Sequence, residues 1–219
     1  MVKRSLLPAC AAAVLLAAAP PVQADPVVVP FNVLVGSTHG DMVPIFGVPV
    51  HGTGDVLPGT LTYDGDAIGI SGGEPGFEGF NPEGSIALSI GSGLSVPLEI
   101  IQVFDEQPGG SPFDLDTINA AATTTSFPGF DSLFMVVEFQ GPPESRTTTA
   151  LPRSAAEIAS FMTTASFRFQ GAQTGVAPPF DSTSHEILGR VELASTPTPE
   201  PATLLLTLSG VGVLLRRRR

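Results

Sequence analysis

The side chains in this sequence with the most chemical potential are one serine, three histidines and a scatter of carboxylates. "GISGG" (Gly69 to Gly73) matches the G-x-S-x-G pattern that presents a nucleophilic serine, with Ser71 at its centre. His185 lies downstream, with Asp105, Asp114, Asp116, Asp131 and Asp181 between them, an order that suits a hydrolase triad. The pattern needs a strand that turns sharply into a helix, and Ser71 leads instead into glycine, proline and phenylalanine. With 24 glycines in the chain such a match arises cheaply. No catalytic residue is expected here, and the chain is read as a non-enzyme.

Metal chemistry is the next candidate. "DGDAIGI" (Asp64 to Ile70) places aspartates at positions 1 and 3 and glycine at position 6 of a calcium loop. Position 5 is Ile68 and position 12 is Pro75, where an EF-hand needs an oxygen ligand and a bidentate glutamate. Asp64-Gly65 reads better as a hairpin turn. A looser calcium site on Asp64, Asp66 or the Asp114/Asp116 pair is the alternative, and no metal ligand is assigned. His39, His51 and His185 show no H-x-H or H-x-x-x-H spacing and are expected in solvated loops. The chain holds no P-loop or dinucleotide fingerprint, so no cofactor is expected. It has no tryptophan and a single tyrosine, Tyr63, which weakens the case for an aromatic sugar platform.

Charge narrows the partners further. Between Asp25 and Glu192 lie 20 acidic residues against Arg146, Arg153, Arg168 and Arg190, a formal net charge of −16. Phosphate binding needs Lys or Arg to replace counterions, so nucleic acid is excluded as a partner.

The elements that would position these residues are strands. "SIALSIG" sets Ile86, Leu88 and Ile90 on one face against Ser85, Ala87 and Ser89. "SLFMVVEFQ" alternates Leu133, Met135, Val137 and Phe139 with Phe134, Val136 and Glu138. "ASFRFQ" and "EILGRVEL" repeat the pattern at residues 165–170 and 186–193, and 27–35, 59–64 and 94–104 are further candidates. Pro30 and Pro97 predict edge strands or bulges. One helix is expected after Ser154, where Ser154 and Glu157 form a capping box ahead of "AAEIASFM". "GGEPGFEGFNPEG" (72–84) reads as an irregular connector whose phenylalanines tuck onto the sheet, and 139–153 as a second loop without periodicity. Gly and Pro make up 46 of 219 residues, which favours many turns and few long helices. The expectation is an all-β body: an antiparallel β-sandwich or jelly-roll with one short helix.

Both ends of the sequence differ from this body. Lys3 and Arg4, then the apolar run 6–19, then Val22-Gln23-Ala24 read as a secretory signal peptide cut between Ala24 and Asp25. A retained anchor is disfavoured because the run is short, Ala-rich and broken by Pro8. "LPAC" ending at Cys10 is a poor lipoprotein box, since most of the apolar run follows it. Removal of residues 1–24 takes away Cys10, the one cysteine, and with it any disulfide or thiol chemistry. At the other end, residues 195–201 are extended and proline-rich. Ala202 to Leu215 would make an apolar helix of about 21 Å at 1.5 Å per residue, short for a bilayer core of about 30 Å. Arg216, Arg217, Arg218 and Arg219 then serve as a cytoplasmic anchor. The domain reading is 1–24 signal peptide, 25–194 body, 195–201 linker, and 202–219 transmembrane helix with arginine tail.

Pro199-Glu200-Pro201, a short apolar helix and an arginine cluster, in that order and adjacent, resemble the PEP-CTERM sorting signal of Gram-negative bacteria. That resemblance covers about the last twenty residues. It implies an exported substrate of exosortase, a membrane protease that cuts near Pro199, Glu200 and Pro201, in systems that accompany exopolysaccharide. Many bodies of that family are built of strands, with a "GTLTYD"-like one early and an F-x-F one late. The implied partners are exosortase, the secretion machinery and exopolysaccharide. The implied location is the inner membrane transiently, then the cell surface or exterior. A non-catalytic structural or adhesive role follows, and a glycan- or calcium-binding envelope module is the alternative.

Overall fold

A computed structural model describes residues 25–70, 76–105, 115–173 and 185–194. They form ten strands: β1 (Val27–His39), β2 (Val56–Tyr63), β3 (Gly69–Ile70), β4 (Phe77–Phe80), β5 (Gly84–Leu88), β6 (Leu94–Phe104), β7 (Asp116–Thr124), β8 (Phe130–Gly141), β9 (Thr164–Gln173) and β10 (His185–Leu193). All pairings are antiparallel.

The fold is all-β, and its sheet closes. Following hydrogen-bonded neighbours gives β1-β2-β5-β6-β7-β8-β9-β10, and β10 pairs back onto β1. Eight strands thus form an up-and-down barrel, where a sandwich of two separate sheets was expected. The reason is local: β6 holds β5 along one edge and β7 along the other, so the sheet has no break at which to divide. β3 and β4 stand outside this ring. β4 continues the line of β5 along β6, opposite Ile101 to Phe104, and β3 pairs outside it as a short wing.

Alternation fills the interior. Val29, Phe31 and Val33 of β1 and Leu57, Leu61 and Tyr63 of β2 are buried. So are Ile86 and Leu88 of β5, Val96, Ile101 and Val103 of β6, and Met135, Val137 and Phe139 of β8. Ile118 and Ala120 of β7, Phe167 and Phe169 of β9, and Ile187 and Val191 of β10 are buried with them. An eight-stranded barrel is just wide enough for side chains to fill. Phe31 needs room, and its cross-strand partner is Gly59, where a β-carbon would strike the phenyl ring.

The two prolines find different solutions. Antiparallel residues direct N–H and C=O to the same neighbour. Pro30 O accepts from Ala194 N (3.0 Å), so its missing N–H faces β10 where that ladder ends, and β1 is no edge strand. Pro97 precedes a register shift between Leu98 and Ile100, the bulge expected beside it.

Each end of the barrel is plugged. The upper rim carries the connections 40–55, 89–93 and 125–129. There α1 (Val43–Phe46), a single turn that sequence reading missed, buries Ile45 and Phe46 and sets Phe46 5.8 Å from Phe169. The lower rim carries the wing and α2 (Ala155–Phe161). The Ser154 side chain accepts the Glu157 N–H at 3.1 Å, as the capping box predicts, while Glu157 Oε2 reaches back to the Arg153 N–H at 2.8 Å. Ile158 and Phe161 point from α2 into the core. Among the described residues no helix is long and apolar enough to cross a membrane. Residues 202–215, 1–24 and the sorting motif lie outside them.

Candidate functional site

Polar side chains gather inside the lower rim. Of the loop expected at 139–153, residues 139–141 belong to β8, and the segment 142–153 crosses this end between β8 and α2. Asp116, wholly buried at the start of β7, pins it: Oδ2 accepts the Ser145 hydroxyl at 2.7 Å and the Arg146 N–H at 2.6 Å. The Arg146 guanidinium lies 5.0 Å above the Phe161 ring and donates from Nη2 to Ala150 O (2.7 Å) and Thr148 O (3.2 Å). Its Nε is buried without an acceptor. Tyr63 of β2 adds a third fastening by donating its hydroxyl to Pro152 O at 2.7 Å.

Electrostatics at this end follow from burial. Burial pushes the Tyr63 phenol well above its ordinary range, helped by the nearby Glu157 charge and opposed by Arg146. Asp105, at the end of β6, is raised chiefly by burial and then by the Asp116 charge, with Arg146 opposing. Burial lowers Arg146, while Glu157, Asp116, Asp105 and Tyr63 favour its charged form. One cation thus serves several acids in a poorly hydrated place.

Beside this cluster, the wing and segment 148–150 enclose an open groove of about 460 Å³ lined by Gly69, Glu78, Phe80, Thr148, Thr149 and Ala150. Glu78 lies directly over Gly69, where a β-carbon would meet its carboxylate. A groove lined by a carboxylate and by threonines offers both hydrogen-bond acceptors and donors to a neutral hydroxylated ligand. Within the connector expected at 72–84, of which 72–75 lie outside the described residues, residues 77–80 form β4; its phenylalanines pack onto the sheet as expected, with Phe80 buried and the Phe77 ring tilted against Phe104 at 5.0 Å.

The remaining candidates do not converge. His185 sits at the upper rim in β10, opposite Gly171, whereas Asp105 and Asp116 are at the lower rim. Ile70, which precedes Ser71, is also on the lower-rim wing, and Ser71, Asp114 and Asp181 lie outside the described residues. His39 and His51 are exposed. His185 departs from the solvated position expected of it. It is 6% exposed, packs edge-on to Phe130 at 5.2 Å, and neither ring nitrogen has a hydrogen-bond partner among the described residues. Its place on the inward-facing set with Ile187 and Val191 accounts for the burial.

Asp64 and Asp66 form a turn closed on itself. Asp64 Oδ1 accepts the Asp66 N–H at 2.9 Å, and Asp66 pairs with Arg153 at 3.2 Å. It is not a hairpin turn, because β2 and β3 run on in one direction without pairing. Among the described residues no three His, Cys, Asp or Glu side chains group to hold a metal ion. Of the processing residues only Asp25 is described, and it is exposed. Ala24, Pro199, Glu200, Pro201 and Arg216 to Arg219 lie outside. Asp105 and Asp116 were candidates in the sequence for a triad or a calcium site, and the structure shows Asp116 fastening the 142–153 segment instead, while Arg146 carried no sequence signal.

Comparison with protein-family models, with curated proteins and with solved structures gives no match to this chain.

Proposed function

We propose that the chain is an exported envelope protein. A secretory signal spanning residues 1–24 directs it outward, and an exosortase-type protease processes it at Pro199, Glu200 and Pro201. The single observation that carries this reading is the order of three elements in residues 199–219: a Pro-Glu-Pro strip, a predominantly apolar stretch of fourteen residues and four arginines. The apolar stretch halts export as a short transmembrane helix, and Arg216 to Arg219 hold it because carrying guanidinium across a bilayer is costly. The body serves as a non-catalytic structural or adhesive part of a polysaccharide-rich surface. A closed sheet supports that role. It leaves few strand edges to aggregate, and it holds its shape by burial and pairing without a disulfide.

The lower-rim groove favours a second reading, a module that binds envelope glycan through Glu78, Thr148 and Thr149. Retention on host exopolysaccharide that falls with Glu78→Gln, while stability is unchanged, would select it over the purely structural role.

Fractionation tests the main reading. The full-length chain, tagged between residues 25 and 194, is expressed in host cells with and without the processing enzyme. Without it, the chain should sediment with membranes at full length. A full-length chain that stays in the soluble fraction there would reject the proposal.

A further inference from the structure

The topology decides where the flanking segments attach. β1 and β10 are neighbours, with Phe31 opposite Leu193, and the Ala194 N–H donates to Pro30 O at 3.0 Å. In a closed meander with an even number of antiparallel strands, the first strand must begin at the rim where the last one ends. The chain therefore enters the body at Asp25 and leaves it at Ala194 on the same, lower rim. The upper rim, with α1 and the turns at 89–93 and 125–129, is at the opposite end.

We propose that the lower rim faces the lipid bilayer in the unprocessed chain, held near it by the tether and not by contact, with the upper rim pointing away. This rests on the reading of residues 199–219 as a membrane halt. The tether is short. The seven residues 195–201, if extended as their prolines favour, reach about 22 Å at about 3.1 Å per residue. β1, with 13 residues, adds about 33 Å of barrel height once a strand tilt of about 40° is allowed for. The two rims thus stand at very different heights above the lipid.

Charge holds the body off the lipid on this tether. Asp25, Asp66, Glu144 and Glu157 are exposed on the lower rim, and Arg153, paired with Asp66, is the exposed cation beside them. Anionic headgroups repel such a surface. The barrel stands off from the bilayer, which leaves room for a protease working at the membrane face.

The test uses the full chain with Cys10→Ser, leaving no other cysteine. Single cysteines are introduced by Thr147→Cys on the lower rim or Thr125→Cys on the upper rim, both at exposed positions. Each is labelled with a donor dye. The chain is then reconstituted into phosphatidylcholine vesicles containing some phosphatidylglycerol and a headgroup-labelled acceptor lipid. Energy transfer should be several-fold greater from position 147 than from position 125. Equal transfer, or stronger transfer from 125, in a vesicle-bound chain overturns the orientation and leaves the membrane reading standing. A chain that does not bind vesicles overturns both.

Discussion

The Arg146 backbone N–H donates to Asp116 Oδ2 across 2.6 Å, joining two residues thirty positions apart at the lower rim. With the Ser145 hydroxyl on the same oxygen, this carboxylate fastens segment 142–153 over the barrel end. Asp116→Ala leaves a buried N–H and a hydroxyl without their acceptor, next to a buried guanidinium. Hydrogen bonds to a charged group are worth about 1.5–3 kcal/mol each, so urea unfolding should show a loss of about 3 kcal/mol or more. Asp116→Asn retains an acceptor oxygen and should lose less.

Asp105 should behave in the opposite way. Its carboxyl is raised by burial and by Asp116, so ionised Asp105 is disfavoured in the folded state. A group raised in this way supports the fold below its unfolded value of about 3.9. That support is lost as pH climbs through the raised value. Asp105→Asn should therefore raise the melting temperature at neutral pH, and the gain should vanish on acidification. Equal stability of the two proteins at neutral pH would contradict this.

Tyr63 offers a direct spectroscopic check, because the chain has one tyrosine and no tryptophan. Its buried hydroxyl is bonded to Pro152 O and its phenol is pushed upward. In alkaline absorbance titration the folded chain should show no tyrosinate near the ordinary value of about 10. The signal should appear together with unfolding, and stability should fall as pH rises past that value. Tyr63→Phe should cost about 1 kcal/mol at neutral pH through the lost hydrogen bond.

Packing inside the barrel is tested at Gly59. A β-carbon there strikes the Phe31 ring, which has no exposed route of retreat at 1% accessibility. Gly59→Ala should destabilise by about 1–3 kcal/mol, the usual penalty of an overfilled core. A combined Phe31→Leu and Gly59→Ala variant should recover part of the loss.

The strands were legible because half-buried sheet imposes a period of two. Leu133, Met135, Val137 and Phe139 alternate with Phe134, Val136 and Glu138, and the first set is buried. The same alternation describes a sandwich and a barrel equally well, since each strand sees one core face in both. Closure depends on whether β10 finds β1 and whether β6 bridges β5 and β7, relations that lie between strands. The capping box at Ser154 was readable because its bonds are local in sequence. Arg146 and Asp116 were not, because a buried polar residue is defined by a partner far along the chain. His185 shows the same limit, being placed by the inward phase of β10 and not by its neighbours in sequence.

The central claim concerns processing at both flanks, and intact-mass analysis of the mature protein from its native host measures it directly. The account predicts a species that begins at Asp25 and lacks the apolar stretch and Arg216 to Arg219. A mature protein that retains Arg219 at full occupancy would contradict the sorting reading, while leaving the closed barrel as described.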